Sequence, residues 1–138
     1  MDYLFPFEKL EVWHLAKDFV KDIYSIIKIF PIEERYGLSS QITRSAISIV
    51  SNIAEGSSRK SKKDEAHYYQ LAFSSLMEAA AQLIISRELN YITDDCLSNI
   101  RDKIYELSNK LNALYNTKNK YLSSSIVPQF HNSTGELQ

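Results

Sequence analysis

The chain has 138 residues, 44% hydrophobic and 24% charged, with only three Gly and three Pro. Six breakers are too few for an all-β sandwich or barrel, which needs a turn signal every ~8–12 residues, and far too few for a disordered or collagen-like chain. Sixteen basic residues against seventeen acidic ones, with a pI near 6.3, leave no global nucleic-acid footprint.

A chain of this length is one soluble domain that buries roughly two-thirds of its unfolded surface, so no disulfide or metal is required to hold it. The lone Cys96 has no partner for an intrachain disulfide, and Met1–Pro6 lacks the basic and long apolar regions of a secretory signal. No apolar run approaches the roughly 18 residues needed to span a bilayer. The cytoplasm is the expected compartment, with no membrane partner.

The breakers stand at Pro6, Pro31, Gly37, Gly56, Pro128 and Gly135, and the long segments between them are the expected helices. In the first, Leu10, Trp13, Ala16, Phe19, Val20, Ile23, Ile26, Ile27 and Phe30 follow the three-and-four spacing of one helical face. Pro31 disfavours helical geometry at Phe30 and sets its end. Leu38, Ile42, Ala46, Ile49 and Ile53 restart the pattern, and Gly56 suits the left-handed position after a helix C-terminus.

Ser61-Lys62-Lys63-Asp64 has the spacing of a capping box before the run Ala66, Tyr69, Ala72, Phe73, Leu76, Ala80, Leu83 and Ile84. Residues 57–127 contain neither Gly nor Pro, yet one helix of that length would extend roughly 100 Å, more than a domain of this size can bury. A break is therefore expected at Asn90–Asp95, where Thr93 can cap a fourth helix whose stripe is Leu97, Ile100, Ile104, Leu107, Leu111 and Leu114. The expected organisation is an all-α, up-and-down antiparallel four-helix bundle over residues 1–120, with helices at about 8–30, 38–56, 62–89 and 94–118. The polar stretch 121–138 is expected to be a mobile tail.

No nucleophile stands beside a base, and no ligand spacing is recognisable. His14, His67 and Cys96 fall on three different helices, His131 falls in the tail, and the Glu-x-x-His motif of di-iron bundles is absent. The expectation is a non-enzyme with no catalytic residue, no cofactor and no metal.

The second helix is more informative. Gln41, Arg44, Ser45, Ser48, Ser51, Asn52 and Glu55 share the face opposite its aliphatic stripe, and this face is polar but carries few charges. It reads either as a weakly charged exposed surface or as a polar packing seam, within the bundle or between subunits. The third helix offers a counterpart in Gln70, Ser74, Ser75, Glu78 and Gln82, with Ala79-Ala80-Ala81 permitting close approach. Arg44 and Glu55 lie about three turns apart and cannot reach each other, so each needs a partner from another helix or subunit. If the seam is real, Arg44→Ala should destabilise fold or assembly, because a buried carboxylate would lose its partner.

Arg59-Lys60-Ser61-Lys62-Lys63 is the one concentrated basic run. It reads as a phosphate grip at a helix start or, diluted by Asp64 and Glu65, as a solvated turn. Repetition around an oligomer axis would make it multivalent. Tyr68 and Tyr69 follow one turn later; Tyr69 is in phase with the core, and Tyr68 reads as a packing residue or, less simply, a base-stacking one.

The segment from Tyr36 to Gly56, with its Asn52-Ile53-Ala54-Glu55-Gly56 ending, resembles the signature of the four-helix bundle proteins named after the intervening sequences of 23S ribosomal RNA genes. Phe7–Trp13, Phe30-Pro31, Glu34, the Ser58–Ser61 turn and Ser75–Glu78 support the likeness, which covers about residues 5–118. Many members have two adjacent Arg where this chain has Thr43-Arg44.

The resemblance implies a bundle assembled as a homo-oligomeric ring of five subunits, with no established enzymatic activity. It also implies a kinship with accessory proteins of diversity-generating retroelements, which bind RNA or DNA and a reverse transcriptase. The functional expectation is a non-enzymatic oligomer binding structured RNA or a ribonucleoprotein through Arg44, Arg59, Lys60, Lys62 and Lys63. Gln41, Arg44, Ser48, Asn52, Glu55 and Glu78 would form the polar seam or oligomer interface. The alternative is a protein-binding scaffold that never touches nucleic acid.

Overall fold

In the computed structural model, which describes residues 2–119, the chain forms four α-helices, and those residues contain no strand. Pro6 opens a single 3-10 turn, Pro6–Lys9, in which the Glu8 carboxylate accepts the Phe5 N–H at 2.9 Å. Leu10 is then extended (φ −96°, ψ 123°), so the first helix, α1, spans Glu11–Ile27 and starts later than residue 8. His14 Nε2 donates to the Glu8 carbonyl at 2.7 Å and holds the turn against the helix. Val12, Ala16, Phe19 and Ile23 are the buried face of α1. The helix gives way after Ile27, ahead of Phe30, which Pro31 keeps out of helical geometry.

A second 3-10 turn, Ile32–Glu34, leads into α2, Leu38–Ser57. Glu34 does the capping that no residue at Gly37 can do: its Oε1 accepts the Leu38 N–H at 3.0 Å. A Cβ on Gly37 would stand 2.7 Å from that oxygen. The buried face of α2 is Ile42, Ser45, Ala46, Ile49, Ile53 and Gly56.

Gly56 departs from its expected role. It lies inside α2 rather than beyond its end, and has no left-handed backbone. What requires glycine is proximity, because a Cβ there would come within 2.7 Å of the Tyr69 ring and 3.0 Å of Tyr68 Cβ. The left-handed position falls instead at Asn90 (φ 63°), after α3, Lys62–Glu88. There the Tyr91 N–H bonds the Ser86 carbonyl and the Asn90 N–H bonds the Arg87 carbonyl, each at 2.9 Å, the paired bonds of a Schellman ending. Ser61 caps the start of α3 through the Asp64 N–H (3.1 Å), and Thr93 caps α4, Asp94–Lys118, through the Cys96 N–H (3.1 Å).

Each helix packs on its chain neighbours and α1 closes against α4, while the diagonal pairs stay apart across the core. Ion pairs Lys103–Asp22 (2.6 Å) and Lys110–Glu11 (3.0 Å) bridge α1 and α4, and their crossed numbering marks the antiparallel sense. The core runs the length of the bundle through Phe19, Ile23, Ile42, Ile49, Ile53, Tyr69, Leu76, Leu83, Leu107 and Leu111, each apolar side chain worth about 1.5–3 kcal/mol on burial. The expected tail, 121–138, lies outside the described residues.

Candidate functional site

The most intimate interface in the bundle is α2 against α3, and small residues make it so. Ser45 is buried and its hydroxyl, 3.0 Å from both the Gln41 carbonyl and Gln82 Oε1, shares its proton between them. The Ser48 and Ser75 hydroxyls meet at 2.8 Å. Asn52 Nδ2 donates to the Ser48 carbonyl (2.8 Å) and to Ser48 Oγ (3.0 Å). Gln82 reaches on to Glu78 through a long contact of 3.4 Å. Larger side chains would hold the two backbones apart, so the hydroxyls and amides make the close approach possible and also satisfy one another.

The seven polar positions of α2 do not act as one face. At 100° per residue they span an arc of about 120°, wider than one neighbouring helix covers. Ser45, Ser48 and Asn52 occupy the edge turned to α3, while Gln41, Arg44, Ser51 and Glu55 are exposed. Arg44 is exposed rather than buried in a seam within the protomer, and among the described residues no carboxylate pairs with it. Glu78 is exposed on the neighbouring face of α3. Around these charges lie exposed apolar residues, Ile47, Leu71 and Ile85, the last half exposed at 51%, while Ile84, expected in the apolar run of α3, is exposed rather than buried.

Glu55 also departs from the expectation that another helix or subunit must partner it. It pairs with Arg59 one turn later, at 2.7 Å. The same guanidinium donates to the Tyr68 hydroxyl (2.8 Å) and lies over the Tyr68 ring, 4.5 Å from its centre. Arg59 is thus engaged within the corner and Tyr68 is covered by it, whereas Lys60, Lys62 and Lys63 are exposed with no ion pair among the described residues. Arg44 and this run stand roughly 20 Å apart along α2, so one protomer does not bring them together.

Beside the basic corner, Tyr69 is buried, and its hydroxyl donates to Glu65 at 2.6 Å, with Lys118 of α4 3.6 Å from the same carboxylate oxygen. Burial, followed by the Glu65 hydrogen bond, pushes the Tyr69 pKa up. At the opposite end, Tyr91 donates to Glu34 Oε2 at 2.7 Å. The Leu38 N–H first, and Tyr91 second, hold the Glu34 carboxyl below the usual range. Sequence reasoning missed this clasp because its partners are 57 residues apart.

A row of rings also escaped it: Tyr3 on Phe5 (5.4 Å), Phe5 on Phe7 (5.7 Å), Phe7 on Trp13 (4.8 Å), with Lys17 over Trp13. The alternation of aromatics at positions 3, 5 and 7 was the available signal. His14, His67 and Cys96 are not brought together; among the described residues no three His, Cys, Asp or Glu side chains gather as a metal site. No helix among those residues is long and apolar enough to cross a membrane.

The connectivity and packing define an up-and-down four-helix bundle built around a polar α2–α3 seam. Residues 8–113 match the family described as 23S rRNA-intervening sequence protein, and the chain belongs to that family. The fold is similar to the crystal structure of a protein of unknown function from the S23 ribosomal protein family of Bacteroides thetaiotaomicron. The two share 24% identity with a TM-score of 0.70, over 75% of this chain and 97% of that one. No curated protein matches the chain. Neither the family nor the structural neighbour is described as an enzyme.

Proposed function

We propose that this chain is a non-enzymatic, cytoplasmic bundle that assembles into a homo-oligomeric ring and binds structured RNA or a ribonucleoprotein. The observation that carries the reading is the α2–α3 corner, where Lys60, Lys62 and Lys63 stand exposed and without carboxylate partners among the described residues. One such corner is a weak phosphate site; several around an axis act together and raise the effective concentration of cations. Assembly has its own support in the outer face of α2 and α3, where Arg44 and Glu78 offer opposite charges amid Ile47, Leu71 and Ile85. The family's name points to RNA as the polyanion.

Light scattering with and without a structured RNA tests both halves. The expected mass is that of a multimer, five subunits by family resemblance, rising when RNA is added. Phosphate contacts release counterions, so binding should weaken with salt, by about 0.9 in log affinity per log salt for each duplex phosphate engaged. Reversing Lys60, Lys62 and Lys63 to Glu should flatten that slope. A monomer, or an assembled protein indifferent to RNA at low salt, overturns the reading. The second outcome favours a protein-binding scaffold, for which the engaged Arg59 and the exposed rings of Tyr3 and Phe5, stacked on Phe7, speak.

A further inference from the structure

At the α1–α2 connection, at the end of the bundle opposite the basic corner, an open groove of about 480 Å³ is cut into the surface. That lies within the roughly 300–1,000 Å³ range of small-ligand sites. Lys28 and Arg35 line it, and neither has an ion pair among the described residues. Tyr36, 87% exposed, adds a free aromatic ring beside them. Ser39 and Ser40 line the same groove with hydroxyls that have no hydrogen-bond partner among the described residues, whereas the Thr43 hydroxyl is spent on the Ser39 carbonyl at 2.8 Å.

Among the described residues no carboxylate lines this groove. Glu34, close by in sequence, is turned to the Leu38 N–H and the Tyr91 hydroxyl. Two other clefts differ in this respect. The one between α1 and α4 carries Asp18, Asp22 and Glu106 beside a Lys103 already paired with Asp22. The one at the α3–α4 connection carries Arg87 already paired with Asp94.

Two unpaired cations and two free hydroxyls suit a phosphate; an exposed tyrosine ring suits a flat base. We propose that the groove is a subsite for an unpaired nucleotide, its phosphate held by Lys28 and Arg35 with Ser39 and Ser40, and its base laid on Tyr36. A base-paired nucleotide cannot lie there, because its faces are already stacked in the helix. The choice of a single strand over a free nucleotide rests on the RNA-binding reading above and on the groove being open to solvent along its side. In an assembled protein, the basic corner would hold duplex backbone and this groove a neighbouring unpaired end or loop.

The test measures fluorescence anisotropy of the full chain with a labelled single-stranded octanucleotide and with a blunt, fully paired RNA duplex, using adenosine monophosphate as competitor. The Lys28→Glu/Arg35→Glu variant should weaken octanucleotide binding at least about ten-fold and lower its salt slope by about 1.4, the loss of two single-strand phosphate contacts. Tyr36→Ala should weaken it about ten-fold, with Tyr36→Phe restoring it. These side chains are exposed, so circular dichroism melts should be unchanged. Duplex affinity should be unchanged in all three variants.

Equal loss of both ligands, or no loss of either, overturns the proposal. Displacement of the octanucleotide by monophosphate at equal nucleotide concentration replaces the strand with a free nucleotide and overturns it in that form. Loss of duplex binding alone, in the Lys60, Lys62 and Lys63 variant, bears on the structured-RNA reading and leaves the groove standing. Photo-crosslinking of 4-thiouridine oligonucleotide to the Tyr36 peptide is the independent readout; crosslinks confined to the basic corner count against the groove.

Discussion

Gly56 illustrates how one residue decides the spacing of two helices. Adding a Cβ forces it to within 2.7 Å of the Tyr69 ring, which is 1% exposed and held by Glu65, so the ring has nowhere to turn. Alanine is worth about 1 kcal/mol more than glycine inside a helix, whereas overpacking a core costs about 1–3 kcal/mol. Gly56→Ala should therefore lower stability by up to about 2 kcal/mol net, read as a lower urea midpoint with unchanged slope; a stabilised variant would show that α2 and α3 separate freely. Glu34 is the matching case for charge. Its folded pKa lies below the group's ordinary value of 4.5, so the stability it confers is complete above that value and is lost as pH falls through the lowered one. Glu34→Gln should flatten the acid limb of a melting-temperature profile between about pH 5 and 2. Superimposable acid limbs would remove Glu34 from the account of this corner.

Between elements, the α2–α3 seam is the feature that the small polar residues build. Ser48→Ala and Ser75→Ala should each cost about 1 kcal/mol, since each strands a half-buried hydroxyl. The double variant should cost less than the sum, because the 2.8 Å pair is then absent from both sides. Strict additivity in urea titrations would mean that the two hydroxyls ignore each other. The pattern of small and hydrogen-bonding residues was legible in α2 and in the Ser75 and Gln82 positions of α3. Its division into an inner edge and an outer edge was not, because period alone places residues on an arc and says nothing of how much of that arc a neighbour covers. Gly56 was misassigned for a related reason: glycine serves both left-handed backbone and close approach, and only the position of Tyr69 separates the two.

For the whole molecule, the placement of Arg44 changes what its removal should do. Exposed and without an ion pair among the described residues, it should alter the intrinsic stability by less than about 0.5 kcal/mol when replaced by alanine. On the proposed assembly, Arg44→Glu should reduce the mass measured by light scattering while circular dichroism stays native. Unchanged mass in a multimeric protein would take Arg44 out of the interface. The basic corner and the groove beside Tyr36 lie at opposite ends of α2, a helix of 20 residues or about 30 Å. A single RNA touching both would have to run along the bundle or across neighbouring subunits.

Three and four spacing, scarce breakers and the caps at Ser61 and Thr93 are local properties, and by themselves they determined four helices, their order and most of their buried stripes; Ile84 of the expected α3 run is exposed, and Val12, Ala79 and Tyr115 are buried outside the expected ones. The break after Glu88 was also legible without Gly or Pro, because no domain of this size can bury so long a helix. Tertiary structure decided what depends on distance between segments remote in the chain. It set Tyr91 on Glu34, Gln82 on Ser45, and the Tyr69 ring against Gly56. It also decided charge: Arg59 and the lysines beside it read as one basic run, yet Arg59 is taken up by Glu55 and Tyr68 while Lys60, Lys62 and Lys63 have no ion pair among the described residues. Periodicity follows from the geometry of one helix, but pairing follows from which other helix arrives, and at what register.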